Sequence, residues 1–382
     1  MITEFFQGLA LGATGLIPFF HTNLVIELFK PSGSLLVAAT ALSFSHLVFE
    51  SIPAIFLFTP TDSQPVSSIP AHNLAMEGKA LYALKLVLFA LFASVLFSIL
   101  LLPFFSIILP PIFYAVKPYA GLALIAVVAI VFFQEHKSNS IANFAALFFL
   151  SCLLGKIVFD TPLQNPLFPL LTGLFAAPVL LESIFSNQSK KAEFKEQDDS
   201  FPKISFKLVF AGVLLGALSG LLPALSPSAI AAVAYLFFST QPATFLVLST
   251  SIVCSKLFYD FFYSIFLHKA RSASAALLLN AKLSNPDFLL LEITAVAAIA
   301  ACSLILLLSA KKLLLFFNKM GEKVFSTAIL ALILLWLSYS QGALGLLALT
   351  ACALVGLLAG QYGVKKSACT GALIIPTILY FM

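Results

Sequence analysis

The residues best suited to chemistry in this chain form two polar pairs inside apolar segments. His46 and Glu50 make up one pair, and Lys256 and Asp260 make up the other. The spacing of four residues places both members of a pair on one face of a helix. Ionisable groups inside a bilayer are costly and normally face the protein interior or a water-filled cavity. His46 titrates near neutral pH and suits a coupling proton, whereas Lys256 suits the place of a monovalent cation or holds Asp260 ionised. The four residues are therefore candidates for coupling to a cation, and ion pairs that only pin two helices together are the alternative.

A second candidate set follows two glycine–proline interruptions of hydrophobic segments. Gly15 and Pro18 mark the first interruption, and Gly220 and Pro223 mark the second. Proline removes a backbone N–H group, and non-helical backbone inside a membrane persists only within protein or along a wet cavity. A half-helix that begins at such a break directs free N–H groups and its positive dipole end at an anion. A kinked helix packed through small residues is the alternative. The predicted anion-binding residues are Gly15, Pro18, His21, Thr22, Asn23, Gly220, Pro223, Ser226 and Ser228.

Both candidate sets belong to an internal repeat. Three stretches of the first half match three stretches of the second half in order: 8–18 with 212–223, 45–57 with 255–267, and 172–181 with 370–379. Matched interruptions of this kind indicate a transporter with its site between two repeats. Loop 59–79 has one lysine and its counterpart 268–286 has three basic residues, which predicts opposite orientations of the repeats in the membrane. We predict repeats at 1–186 and 206–382, joined by a polar linker at 187–205.

The composition requires a membrane protein. Hydrophobic residues make up 61% of the chain and charged residues 10%, with a mean hydropathy of +1.06. Because a spanning helix needs about 20 apolar residues, we predict 10–14 transmembrane segments, two of them at 80–102 and 104–134. Segment 104–134 carries three prolines and is open to one kinked span, two short spans or a re-entrant hairpin. The predicted fold class is an all-α, multi-pass protein of the cell membrane, with two inverted repeats and broken or re-entrant helices.

Several function classes lack their signatures in this sequence. There is no P-loop, no nucleophile elbow and no zinc-protease motif, and the five cysteines lack metal-ligand spacing. The net charge of +5 lies mostly in short loops, and no basic patch interleaved with aromatic residues indicates nucleic acid. We therefore expect no enzyme activity, metal or organic cofactor. A passive pore and a membrane enzyme acting on a lipid-linked substrate are the alternatives to a transporter. Arg271 is the single arginine, so an anion site must use backbone N–H groups, hydroxyls, histidine or lysine.

The motifs resemble the large permease subunit of tripartite tricarboxylate transporters, the TctA family, and most closely its archaeal branch. The family carries a Gly-x-x-x-Gly-x-x-Pro-Gly element in each half, and its archaeal members follow the first proline with a His-Pro-Asn-like run. The residues that fit are Gly12, Gly15, Pro18, His21 and Asn23 in one half and Gly216, Gly220 and Pro223 in the other. Further similar stretches are 69–84, 167–178, 262–275 and 371–379. The resemblance implies a secondary transporter for carboxylates that is driven by a sodium or proton gradient and works by alternating access.

The chain departs from the family pattern at the two breaks. Phe19 and Ala224 stand where the family usually has the glycine after proline, and Thr22 replaces a usual proline. A phenylalanine beside a tight break narrows the cavity, so we expect small carboxylates or related organic anions as substrates. In bacterial members the large subunit works with a small membrane subunit and an extracytoplasmic binding protein. Both are candidate partners of this chain, together with membrane lipid and a second copy of the chain.

Overall fold

The structure is a computed structural model of the 382-residue chain. The residues that it describes are 1–17, 22, 25–26, 35–56, 71, 73–75, 77–119, 121–122, 125, 128–129, 132, 141–185, 202, 204–221, 227, 230–231, 234, 241–279, 285–320, 322–364 and 366–381. These residues form helices and their connections and contain no β-strand, which confirms the all-α prediction.

The first half of the chain contributes five helices. They are α1 (Ile2–Gly12), α2 (Leu35–Phe56), α3 (Ala80–Val116), α4 (Ile141–Phe159) and α5 (Leu167–Phe185). The middle of α5 is a π-helical turn at Thr172–Ala176. The second half contributes α6 (Phe206–Leu221), α7 (Pro242–Phe266), the short α8 (Ala273–Ala276), α9 (Asn285–Met320), α10 (Glu322–Gln361) and α11 (Gly371–Phe381).

Seven of the described helices are long and apolar enough to cross a membrane, namely α2, α3, α4, α5, α7, α9 and α10. This confirms a multi-pass membrane protein. The count of 10–14 crossings stays a prediction, because parts of the hydrophobic sequence lie outside the described residues.

One predicted boundary is wrong. Segments 80–102 and 104–134 were expected to be separate, but Ala80–Val116 is a single helix of 37 residues that contains Pro103. Each proline removes one backbone hydrogen bond, while the remaining i→i−4 bonds keep the helix continuous in an apolar environment.

Helix α10 contains a reversal of the chain at Gly342. This glycine has φ 63° and ψ −156°, which is not a helical conformation. A Cβ atom placed on Gly345 would lie 3.3 Å from the side chain of Leu337, eight residues earlier. Eight residues of straight helix span about 12 Å, so this contact requires the chain to fold back. The reversal separates the predicted segments 324–340 and 342–361.

The helices divide into two compact units, and each unit combines parts of both halves of the sequence. The first unit is Met1–Ala115 with Lys190–Lys319, and the second is Val116–Ser189 with Met320–Met382. The predicted repeats at 1–186 and 206–382 therefore do not coincide with the compact units. The opposite orientation of the repeats stays a prediction.

Helices α2 and α7 form the centre of the first unit. In each of them 89% of the membrane-spanning stretch is buried, compared with 39% to 56% in the other five. The rings of Phe44 on α2 and Phe261 on α7 stack with centroids 6.2 Å apart. Helix α3 joins them through Tyr259, whose hydroxyl donates a 2.9 Å hydrogen bond to the carbonyl of Ser98. The two predicted polar pairs thus lie on the two most buried spans.

The second unit contains a reciprocal pair of helix contacts. Gly371 of α11 packs against α4, where an added Cβ would lie 2.7 Å from Cys152 Sγ. Gly173 of α5 packs in the same way against Cys352 of α10. Each half therefore supplies a Thr-Gly helix that packs on the cysteine-bearing helix of the other half.

Candidate functional site

The first half of the site is built on the close packing of α1 against α2. Gly8 and Gly12 face α2, and a Cβ atom on Gly12 would collide with the hydroxyl of Ser45. The Ser45 hydroxyl donates to the Gly8 carbonyl at 3.3 Å and to the Ala41 carbonyl of its own helix at 2.6 Å. Small residues at these positions let the two backbones approach, as in many membrane helix pairs.

The second half repeats this packing between α6 and α7. A Cβ atom on Gly216 would collide with the hydroxyl of Ser255. The Ser255 hydroxyl donates to the Gly212 carbonyl at 3.3 Å, the same distance as in the first pair. Both serines immediately precede the first member of a polar pair, so the two pairs occupy matching positions.

The first helix ends directly before its predicted break. A 3₁₀ turn at Ala13–Leu16 follows α1, and Ile17 is extended with φ −96° and ψ 111°. A residue before proline is disfavoured in the α region, which explains the end of the helix ahead of Pro18.

At this helix end, three predicted residues come together. A Cβ on Gly15 would lie 2.5 Å from the His46 carbonyl oxygen and 3.0 Å from the Glu50 backbone nitrogen. The buried His46 has its Nδ1 atom 3.5 Å from the hydroxyl of Thr14, which also donates to the Leu11 carbonyl at 2.6 Å. The pair on α2 therefore lies beside the end of α1.

The end of α6 lies beside the second polar pair. Gly220 packs against the ring of Tyr263, where an added Cβ would lie 2.8 Å from a ring carbon. Asp260 is fully buried and accepts hydrogen bonds from the backbone N–H of Arg271 at 2.8 Å and from the Ser272 hydroxyl at 2.6 Å. The Lys256 ammonium lies 3.9 Å from the same carboxylate.

Three side chains cap the last carbonyl groups of α6. The Tyr263 hydroxyl donates to the carbonyl of Ala217 at 2.7 Å. The Arg271 guanidinium donates to Ser219 at 2.7 Å, and the Lys269 ammonium donates to Leu221 at 2.6 Å. Cations near the C-terminal end of a helix satisfy free carbonyls and complement the helix dipole. We call Tyr263, Lys269 and Arg271 the α6 cap.

Sequence reasoning missed the α6 cap. Lys269 and Arg271 were expected in a basic loop, as a signal of membrane orientation and as part of a stretch similar to the family. Instead, the chain turns at His268, with φ 48°, and the two cations return to α6. The presence of the chain's single arginine in this loop was the available signal. Loop 59–79, the equivalent loop of the first half, has one lysine at its far end and no arginine, so this pair of cations occurs in the second half only.

The remaining predicted residues divide between described and undescribed positions. Thr22 is helical and half-buried, near the buried Val25 and Ile26, which pack with Leu42 of α2. Six predicted anion-binding residues lie outside the described residues: Pro18, His21, Asn23, Pro223, Ser226 and Ser228. Their role stays a prediction. Among the described residues no cluster of three His, Cys, Asp or Glu side chains has the arrangement of a metal site.

These features define the class of protein to which the chain belongs. Seven apolar helices, with polar pairs on the two most buried spans and beside the ends of glycine-rich helices, describe a multi-pass α-helical membrane protein. The chain belongs to the tripartite tricarboxylate transporter TctA family, whose sequence model matches residues 5–371. This confirms the resemblance drawn from the motifs. Because the family is one of transporters, it also confirms the expectation that the chain is not an enzyme.

One archaeal protein is similar to this chain along almost its full length. An uncharacterized protein of Methanocaldococcus jannaschii is 27% identical over 391 residues, which cover 97% of this chain and 96% of the relative. Its archaeal source agrees with the archaeal branch indicated by the motifs. No solved structure matches the chain.

Proposed function

We propose that this chain is a secondary active transporter of small carboxylates or related organic anions, coupled to sodium ions or protons. The observation that carries the proposal is the position of the two polar pairs. Each lies on one of the two most buried spans and beside the end of the glycine-rich helix that precedes a predicted break. Charged groups at such depth are costly, and they are typical of substrate and ion pathways.

The substrate is proposed to bind between the two breaks, near Gly15 and Gly220. Hydroxyl, amide and imidazole groups of Thr22, Asn23 and His21 would supply donors in one half, and Ser226 and Ser228 in the other. Loop 59–79 of the first half has one lysine, at its far end, and no arginine, so we propose that the first half binds the anion mainly through neutral donors, backbone N–H groups or a protonated His21.

Coupling is proposed to use the polar pairs. His46 with Glu50 can take up a proton or a cation beside Thr14, and Lys256 with Asp260 occupies the equivalent position in the second half. Symport by alternating access follows if the two helix pairs, α1 with α2 and α6 with α7, move so that the bound anion faces one side of the membrane at a time.

The plasma membrane is the proposed location. The tripartite system named by the family suggests two partners, a small membrane subunit and an extracytoplasmic binding protein. We propose that this chain provides the transport path and that such partners would deliver substrate to it.

The proposal is tested with purified protein in proteoliposomes. Uptake of labelled succinate and citrate is measured with an inward sodium gradient, with a proton gradient, and with neither. We expect gradient-driven accumulation and accelerated exchange when the vesicles are preloaded with unlabelled anion. Uptake without accelerated exchange would indicate a passive pore, and no uptake of either anion under any gradient would refute carboxylate transport.

Two variants test the proposed position of the site. Asn23→Ala and Ser228→Ala should each abolish uptake while the protein still inserts in the membrane. Lys156→Gln is the control, because Lys156 forms an exposed ion pair with Asp160 in the other compact unit. Wild-type uptake by the Asn23 and Ser228 variants would remove these residues from the site.

A further inference from the structure

Asp260 and Lys256 differ in how many hydrogen bonds their side chains form. Asp260 is 0% exposed, and each of its oxygens accepts a short hydrogen bond, Oδ1 from the Arg271 N–H at 2.8 Å and Oδ2 from the Ser272 hydroxyl at 2.6 Å. Within the described part of the chain, the partner of the Lys256 ammonium is Asp260 Oδ2 at 3.9 Å. That distance is beyond the range of a hydrogen bond.

The hydrogen bonds of Asp260 therefore have a structural role. Ser272 uses the same hydroxyl that bonds Asp260 to accept from the N–H of Ala275, so it also caps the start of α8. The carboxylate thus fixes the turn that holds Arg271, and Arg271 in turn holds the carbonyl of Ser219 near the end of α6. Through this chain of bonds, Asp260 acts as a positioning residue for the helix end.

Among the described residues, in contrast, the Lys256 ammonium has no hydrogen-bond partner. An ammonium group has three N–H donors and no acceptor, and leaving them unpaired in a buried place is unfavourable. The Lys256 side chain is 18% exposed, so part of it reaches accessible space. Its backbone contacts the side of α6, with the nitrogen near Gly216 and the carbonyl oxygen near Gly220. The Lys256 ammonium therefore extends from the α6–α7 contact, and its N–H donors can bind a ligand.

The charge around Lys256 favours an anion. Among the described residues, Lys269 and Arg271 also bring cations to this end of α6, and the Asp260 carboxylate lies 3.9 Å from the Lys256 ammonium. The Lys256 charge is only partly compensated, because Asp260 lies 3.9 Å away and both of its oxygens accept hydrogen bonds from other groups. A carboxylate ligand would compensate this charge and accept hydrogen bonds from the ammonium.

From this geometry we infer that Lys256 donates a charge-assisted hydrogen bond to a carboxylate of the transported anion, while Asp260 positions the Arg271–Ser272 turn. The inference rests on the proposed function and assigns the two members of the pair different tasks. It departs from the expectation that both act in coupling. Lys256 becomes a substrate-binding residue, and coupling is left to His46 with Glu50.

The test uses Lys256→Gln in proteoliposomes with two substrates, succinate and its monoamide, which has one carboxylate fewer. For succinate we expect the KM to rise roughly ten- to hundredfold, because a hydrogen bond to a charged group is lost. For the monoamide we expect a much smaller rise if the missing carboxylate is the one that Lys256 binds. The cation concentration that gives half-maximal uptake should be unchanged.

Lys156→Gln is the matched control. Lys156 and Asp160 have the same spacing of four residues, but their ion pair is exposed, with 57% and 65% of the side chains accessible. Removal of this lysine should leave the KM of both substrates unchanged. If the Lys256→Gln protein does not fold, the same substrates are measured with Lys256→Arg, whose altered donor geometry should change the preference for succinate over the monoamide.

The outcomes separate this inference from the proposed function. Wild-type protein that transports no carboxylate refutes the proposed function and with it the inference. Wild-type uptake together with an unchanged succinate KM in Lys256→Gln, or unchanged preference in Lys256→Arg, refutes the inference alone. If Lys256→Gln changes the cation concentration for half-maximal uptake but not the succinate KM, Lys256 acts in coupling and the inference is wrong.

Discussion

The hydroxyl of Ser255 donates a 3.3 Å hydrogen bond to the carbonyl oxygen of Gly212 and thereby joins α7 to α6. Ser45 and Gly8 make the same bond between α2 and α1. The two helix pairs thus share one contact in one register, although 204 residues separate Gly8 from Gly212. This shared contact brings the polar pairs of α2 and α7 to equivalent helix ends.

The first prediction concerns the glycines that allow this approach. Gly216→Ala and Gly12→Ala should each lower the free energy of unfolding by about 1–3 kcal/mol, because overpacking forces the backbones apart. An added Cβ on Gly216 meets the Ser255 hydroxyl and also the backbone carbonyl of Ile252, so rotation of a side chain does not relieve it. The measurement is thermal unfolding of the purified variants in detergent.

Gly360→Ala is the control for this prediction. Its added Cβ would meet only the carboxylate end of Glu182 among the described residues, at 2.8 Å, and that flexible side chain can rotate away. Its melting temperature should stay close to that of the wild type. Equal melting temperatures for Gly216→Ala and Gly360→Ala would mean that the α6–α7 contact is not tight.

The second prediction concerns the charge of Asp260. Asp260→Asn should destabilise the protein by about 3–5 kcal/mol, because it leaves a largely buried Lys256 without its counter-charge and weakens the bond to Ser272. The double variant Lys256→Gln with Asp260→Asn should be more stable than Asp260→Asn alone, since the charge of Lys256 is then no longer buried without Asp260. Chemical unfolding in detergent measures both.

The exposed Lys156–Asp160 pair at the end of α4 provides the comparison. Asp160→Asn removes a surface ion pair with an N–O distance of 3.0 Å, and such pairs contribute about 0–1 kcal/mol. If Asp160→Asn lowers the free energy of unfolding as much as Asp260→Asn does, the difference in burial between the two pairs does not determine their contribution to stability. A double variant less stable than Asp260→Asn would show that Lys256 has a structural role of its own.

Local features of the fold were predictable from the sequence. Glycine spacing, helix-breaking proline and the i,i+4 pairs are short-range properties, so the end of α1 before Pro18 follows from the local sequence. The contact of Gly15 with His46 joins two helices and was not predicted. The internal repeat supports the prediction, because the glycine spacing recurs at Gly216 and the i,i+4 pair recurs at Lys256.

Long-range features were not predictable in this way. Arg271 reaches Ser219 across 52 residues, and its place depends on how α7 and α6 pack, which no local pattern encodes. The continuity of α3 through Pro103 was missed for a related reason. Proline lowers the local helix propensity, but apolar surroundings that offer no alternative hydrogen-bond partner keep the helix intact.

The third prediction concerns the α6 cap. Arg271→Ala should increase hydrogen exchange at residues 217–221, because the carbonyl of Ser219 loses a charge-assisted bond of about 1.5–3 kcal/mol. Arg271→Lys should restore part of the protection, since it keeps the charge but loses the planar donor geometry. Exchange is measured by mass spectrometry on the intact protein in detergent.

Lys207→Ala is the control for the α6 cap. Lys207 lies near the other end of the same helix and is exposed. Its removal should leave exchange at residues 217–221 unchanged. Equal protection in Arg271→Ala and wild type would mean that Arg271 does not hold the helix end.

The fourth prediction concerns the reversal at Gly342. Its φ of 63° with ψ of −156° belongs to a region open essentially to glycine alone, and other residues pay about 1–3 kcal/mol there. No heavy atom of the described residues lies within 4 Å of a Cβ placed on Gly342, so the cost of Gly342→Ala comes from the backbone and not from a collision. We expect Gly342→Ala to lower the melting temperature clearly.

Ala343→Ser is the control. It changes the next residue, which is exposed and needs no positive φ, so its effect on stability should be within about 0.5 kcal/mol. If both variants unfold at the wild-type temperature, the chain does not reverse at Gly342, and Glu322–Gln361 is one continuous helix instead of two crossings.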